Sequence, residues 1–179
     1  GTWATNEWFN TLVAEAARAI NDEPIEAAQF ALADLLGTPG LDDNTLRRSM
    51  NARYRRGFAD DASALAGIAA DAGYSASVRA VAAKLLATWN TPQNLDTVTG
   101  RWRPLHSREV QGLEQAVSPH LPGMLAGSAE LRQMAVDLAT DLGIQDMGRA
   151  FQAMMHETNM DDAWPPACLS APAKPSSDP

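Results

Sequence analysis

Apolar residues recur at helical spacing along most of the chain and nowhere alternate with polar ones over a strand length. The stretch "NEWFNTLVAEAARAIND" starts at a cap, Asn6, and sets Leu12, Val13, Ala16, Ala17 and Ile20 on one face. "PIEAAQFALADLLG" opens with Pro24 in a first turn, closes at Gly37 and carries Ile25, Ala28, Leu32, Leu35 and Leu36 as its stripe. "DNTLRRSMNARYRRG" ends at Gly57 and "DASALAGIAADAG" at Gly73, and "SASVRAVAAKLLATWN" starts near Ser75. Further helices are expected in "SREVQGLEQAVSPHLPGMLAG", "SAELRQMAVDLATDLG" and "QDMGRAFQAMMHET". The pattern predicts an all-α protein.

Laying these helices over one another exposes a repeat. Leu12, Leu46, Val78 and Leu131 align, followed at the fourth place by Ala16, Met50, Ala82 and Ala135. At the eighth place stand Ile20, Tyr54, Leu86 and Ala139. Three copies carry an arginine just past the anchor, Arg47, Arg79 and Arg132, where it can reach carbonyls or acids of the preceding turn such as Asp42, Asp43 or Asp71. The first anchors are 34 and 32 residues apart, and the last step is 53. The long step is one repeat plus an insertion of about twenty residues between Trp89 and Ser107. One helical hairpin cannot bury its own apolar face, whereas stacked hairpins share a continuous core. The expected architecture is an α-α superhelix, a HEAT/ARM-like solenoid of about three to four hairpins with one inserted loop. The helical domain is placed at 1–157, the insertion at about 91–106 and a proline-rich tail or linker at 158–179.

Composition narrows the function classes. Of 179 residues, 45% are hydrophobic and 20% charged, and the formal net charge is −8. An acidic chain is a poor ligand for phosphate backbones, so nucleic acid is not expected as a partner. No apolar run is long enough for a membrane span. Cys168 is the only cysteine, which excludes an internal disulfide and a thiolate metal cluster. The chain opens at Gly1 rather than a methionine and shows no signal peptide, so a targeting segment is expected either to have been removed or to lie upstream in a longer parent.

The repeat motif, a turn followed by [Val/Leu]-Arg and an Ala-rich helix, resembles HEAT repeats. "YSASVRAVAAKLLATW" and "GSAELRQMAVDLATDLG" are its clearest copies. Taken in order, "EAARAINDEPIEAAQFALADLL", "LRRSMNARYRRG" and "LDTVTGRWRPL" resemble more narrowly the HEAT-repeat segment of large secreted bacterial proteins. There the segment lies between a β-propeller similar to sugar dehydrogenases and a c-type cytochrome domain. The resemblance covers about residues 6 to 157. It implies a periplasmic or secreted scaffold that connects or docks redox domains. The chain departs from such proteins in having no C-x-x-C-H haem site and no strand blades.

The insertion "LDTVTGRWRPL" is the first candidate site. Trp102 stands between Arg101 and Arg103, with His106 nearby. Arginine forks suit carboxylates and an exposed tryptophan suits stacking, so the set could recognise a ligand or a partner. Alternatively, Trp102 plugs a groove between repeats while both arginines clamp Asp96 or helix-end carbonyls. The second reading is preferred, and it predicts that Trp102→Ala lowers thermal stability. The run "LRRSMNARYRRGF" sets Arg48, Arg55 and Arg56 opposite the buried stripe, a candidate basic face. Such a face is expected to be solvated and balanced by Asp42, Asp43, Asp60 and Asp61.

His106, His120 and His156 lack helical zinc-site spacing, and the chain has no nucleophile elbow, Walker loop or dinucleotide fingerprint. His156 with Glu157 is expected to meet a helix dipole and water. Paired acids such as Asp60-Asp61 and Asp161-Asp162 read as caps or tail. In the tail, Trp164 is the candidate anchor, and Cys168 has no neighbour that would activate a thiol.

No catalytic residue, metal site or cofactor is therefore expected. The reading is a non-catalytic scaffold whose partners are proteins, neighbouring domains or other polypeptides. The alternative is a helical-repeat enzyme or ligand-binding domain with a polar pocket around 95–106.

Overall fold

The computed structural model describes residues 7–144. The expected cap Asn6, the last helix, His156, Trp164 and Cys168 lie outside the described residues. Eight α-helices appear among those described: α1 Glu7–Asp22, α2 Gln29–Asp34, α3 Asp43–Arg56, α4 Ala59–Ala70, α5 Ala76–Ala87, α6 Leu113–Val117, α7 Leu121–Leu125 and α8 Ala129–Asp141. There is no strand among them, only an isolated antiparallel bridge between Leu95 and Trp102. The protein is all-α over this range.

The helix ends follow from side-chain chemistry. Asp42 accepts hydrogen bonds from the Asn44 and Thr45 amides and so starts α3. Ser75 and Ser128 do the same for α5 and α8, accepting from the Val78 and Leu131 amides. Gly57 ends α3 with φ +79, a conformation that strains residues with a Cβ. Its backbone also lies against the Arg108 guanidinium, where a Cβ would collide.

Two expected helices are shorter than their patterns. Pro24 precedes a 3-10 turn, Glu26–Ala28, and α2 begins only at Gln29. The segment from Ser107 was expected to be one helix. It remains non-helical to Gly112, then breaks into α6, a 3-10 turn and α7. Pro119 and Pro122 each remove an amide donor and occupy early positions in the pieces that follow them.

Helices α2 and α3, α4 and α5, and α7 and α8 pack pairwise. The second members also touch in order, α1 on α3, α3 on α5 and α5 on α8, while α4 meets α6 and α7. One apolar core joins α3 through α8, with Met50, Leu65, Val78, Leu86, Trp89, Val117, Met124 and Leu125 buried in it. A much smaller cluster, Ala17, Leu32, Ala33 and Ala52, joins α1 to α2 and α3.

The aligned positions are buried in three helices. Leu46, Val78 and Leu131 lie inside, as do the residues four and eight places on. In α1 the register is off by one. Leu12 is 52% exposed, whereas Ala17 and Asn21 are buried, so Val13 takes the anchor place, 33 residues before Leu46. Asn21 fills the eighth position and is drawn in by a hydrogen bond from Asn51 rather than by hydrophobicity. Of the arginines past the anchors, Arg79 reaches carbonyls, those of Ala69, Ala70 and Gly123.

Candidate functional site

The insertion after α5 doubles back on itself. The Asp96 amide donates to the Arg101 carbonyl, the Gly100 amide to the Asp96 carbonyl, and the Arg103 amide to the Asn94 carbonyl. Gly100 turns the chain at φ +67. Asp96 is buried at the centre of this turn. Its Oδ1 accepts from the Val98 and Thr99 amides and the Thr99 hydroxyl. Its Oδ2 accepts from Asn51 Nδ2 at 2.9 Å and from Arg103 Nη1 at 2.9 Å. Burial pushes the carboxyl pKa up. The hydrogen bonds from Thr99, Asn51 and Val98 outweigh it and hold the pKa below the ordinary aspartate value.

The same atoms tie the insertion to two distant helices. Asn51 Nδ2 also donates to Asn21 Oδ1, and Asn51 Oδ1 accepts from the Thr97 hydroxyl. Arg103 Nη1 donates to the Asn21 carbonyl and Arg101 Nη1 to the Asp22 carbonyl. Both carbonyls belong to the last turn of α1, where intrahelical donors run out. The insertion is a strap across the end of α1 and the middle of α3.

The strap corrects the expectation for Trp102, which is 68% exposed and is not a buried plug. Side chains alternate along an extended segment, so Arg101 and Arg103 reaching inward send Trp102 outward. On the segment bridged to it, Asp96 is buried and Leu95 is exposed by the same alternation. Among the described residues the buried tryptophan is Trp89, two residues past the end of α5. It meets Tyr54 edge-on with centroids 5.5 Å apart, and the Arg108 guanidinium lies 4.5 Å from its ring centre. Its position was readable, because Ala82, Leu86 and Trp89 continue the helical stripe of Val78.

Arg108 was not singled out from the sequence. Its guanidinium stacks on Tyr54 as well as Trp89, and its Nε donates to the Trp89 carbonyl. Burial lowers its pKa, although the Tyr54 and Asp61 charges act in the opposite direction.

The basic face is not a solvated one. Arg48 pairs with Asp22 at 3.1 Å, and Arg56 pairs with the fully buried Asp61 at 2.6 Å and with Asp34 at 3.0 Å. Arg53 reaches Asp61 and the Ala33 carbonyl. Asp61 also accepts from the Phe58 amide and so starts α4. Of the expected balancing acids, Asp61 takes part, while Asp22 and Asp34 from neighbouring elements supply the rest. Arg55 donates to the Arg103 carbonyl and, among the described residues, forms no ion pair. Each guanidinium turns toward an acceptor on the protein, of which only Asp61 among the carboxylates is fully buried.

His106 is exposed beside the strap, and His120 Nε2 lies 3.3 Å from the Ser63 hydroxyl. No three His, Cys, Asp or Glu residues come together as a metal site among the described residues. Among them, no helix is long and apolar enough to cross a membrane. A cleft of about 280 Å³ opens between the turn before α2, α3 and the returning insertion, with Arg55 and Arg103 in its wall.

Comparison with protein-family models, with curated proteins and with solved structures found no match.

Proposed function

We propose that this chain is a non-catalytic scaffold of HEAT-like hairpins, forming a short α-α superhelix that docks a neighbouring domain or polypeptide. The reading is supported by the order of contacts α1–α3–α5–α8, which is the succession expected of stacked second helices.

The observation that carries the docking role is the outer face of α1. Trp8 and Leu12, one turn apart, are 69% and 52% exposed. Large apolar side chains left to water one turn apart on a helix face mark a docking surface. By the resemblance stated above, the partner is a propeller-like or cytochrome domain of an extracytoplasmic bacterial protein.

The test is calorimetric titration with purified domains encoded beside this chain, using wild type and Trp8→Ser/Leu12→Ser. The double variant is expected to keep its melting temperature and lose binding. Unchanged binding by a folded double variant would remove α1 as the docking face.

A further inference from the structure

The cleft beside the insertion is lined by aromatic rings that the helices leave to water. Phe30 and Phe58 are each 59% exposed, and they line the cleft together with the half-buried Leu105. The Arg56 guanidinium lies 5.4 Å from the Phe30 ring centre and 6.0 Å from that of Phe58, and is itself held by Asp61 and Asp34. The rings are steadied without being covered. Arg55 Nη1 donates to the Arg103 carbonyl, and its other nitrogens have no acceptor among the described residues and are not shut off from water. Glu26 is exposed and lies in the field of Arg55 without a salt bridge to it. The cleft thus combines aromatic surface, open hydrogen-bond donors and one carboxylate.

The chain carries a segment of matching chemistry beyond the described residues. "AWPPACLSAPAKP" holds Trp164 directly before Pro165 and Pro166, and Lys174 between Pro172 and Pro175. Proline-rich sequences favour polyproline II, whose backbone carbonyls have no internal donors. Such segments dock on aromatic-lined grooves, and they lose little entropy there because the proline rings already restrict them. Trp164 stands 20 residues beyond Ile144, the last described residue. Twenty residues can span about 66 Å, enough to reach any face of a domain of this size. The outer face of α1 is a poorer match. It is a single helix surface, and its neighbouring charges, Glu15 and Arg18, are paired with each other.

We propose that this cleft is the docking site of the chain's own proline-rich tail, Trp164 to Pro175. The Trp164 ring and the two prolines after it lie against Phe30, Phe58 and Leu105. Backbone carbonyls of the segment accept from the open nitrogens of Arg55, and Lys174 faces Glu26. A peptide carbonyl is neutral, so the field of Asp96 and Glu26 at Arg55 does not oppose the contact. Every group invoked on the cleft is in contact with water before docking. The proposal is independent of the scaffold reading and uses a different surface from α1.

The sole cysteine, Cys168, lies inside this segment and supplies the test. A nitroxide on Cys168 of the full chain should broaden the amide signals of Phe30, Phe58 and Leu105 in a nitrogen-15 spectrum. These signals should broaden more than those of the last turn of α8, which is nearest to the tail in sequence, and more than those of Trp8 and Leu12. Trp164→Ser and, separately, Phe30→Ser/Phe58→Ser should each abolish the excess broadening at Leu105, with circular dichroism checking the fold. The wild-type spectrum decides the matter even where a variant fails to fold. Broadening strongest at α8 or at Trp8 and Leu12, or absent from the cleft, would overturn the proposal. So would broadening that arises between molecules, seen at the cleft of nitrogen-15 chains without nitroxide when they are mixed with nitroxide-labelled ones.

Discussion

Two seams hold successive second helices together, and they are built from opposite materials. Between α3, α5 and α8 the contact is apolar, with Met50, Val78, Ala82, Leu86 and Trp89 shut away from water. Between α1 and α3 the apolar part shrinks to alanines and Leu32, and the end of the seam is polar: Asn21, Asn51, Asp96, Thr97 and Arg103. An apolar seam gains from area whatever the detailed pairing. A polar seam depends on completeness, because every buried donor or acceptor left over costs about 1–3 kcal/mol. The insertion supplies what the two helices lack, namely a carboxylate for Asn51 and two guanidinium groups for the end of α1.

The largest effect is expected at the apolar seam. Trp89→Ala should cost about 3–5 kcal/mol in urea unfolding and loosen both Tyr54 and Arg108. A loss below 1 kcal/mol would show that Trp89 is not packed as described. In the polar seam, Asp96→Ala strands Arg103 and Asn51 together, and about 3 kcal/mol should be lost. A loss near zero would mean that water replaces the carboxylate freely.

Gly57→Ala combines a positive φ with a collision against Arg108. It should cost about 1–3 kcal/mol, read from the same unfolding curves. Trp102→Ala, once expected to be damaging, should change stability by no more than about 0.5 kcal/mol, because the ring is exposed. A drop in melting temperature as large as that of Trp89→Ala would restore Trp102 as a brace.

Acid separates the seams without mutation. Asp22, Asp42 and Asp96 all have folded-state pKa values below the ordinary aspartate value. Each therefore contributes stability that is present above the unfolded pKa of about 3.9 and lost as pH falls through the folded value. Stability should decline below about pH 4.5, with a shallower decline in Asp96→Asn. Equal acid limbs would assign the titration to the other carboxylates.

Much of this arrangement was legible where local chemistry decides it. Asp42, Ser75 and Ser128 start helices because their oxygens meet free amides, and Gly57 ends one because its φ is positive. The periodic stripe likewise located the core positions of α3, α5 and α8. The register of α1 was not legible, since Leu12 and Val13 are both apolar and the deciding residue is a buried asparagine. Asn21 is inside only because Asn51, thirty residues on, donates to it. Arg101 and Arg103 could be read as clamps on Asp96 or helix-end carbonyls. Which carbonyls they reach depends on α1, about eighty residues earlier. The inward turn of the basic face was hidden for the same reason: Asp22 and Asp34 lie near Arg48 and Arg56 only after folding.

Native-state hydrogen exchange on wild type and Asp96→Ala tests the strap most directly. The account predicts that amides of α1 lose protection in the variant while those of α5 and α8 keep theirs, because the apolar seam is untouched. Equal loss across all three helices, or unchanged protection in α1, would contradict the claim that the insertion fastens α1 to the rest of the fold.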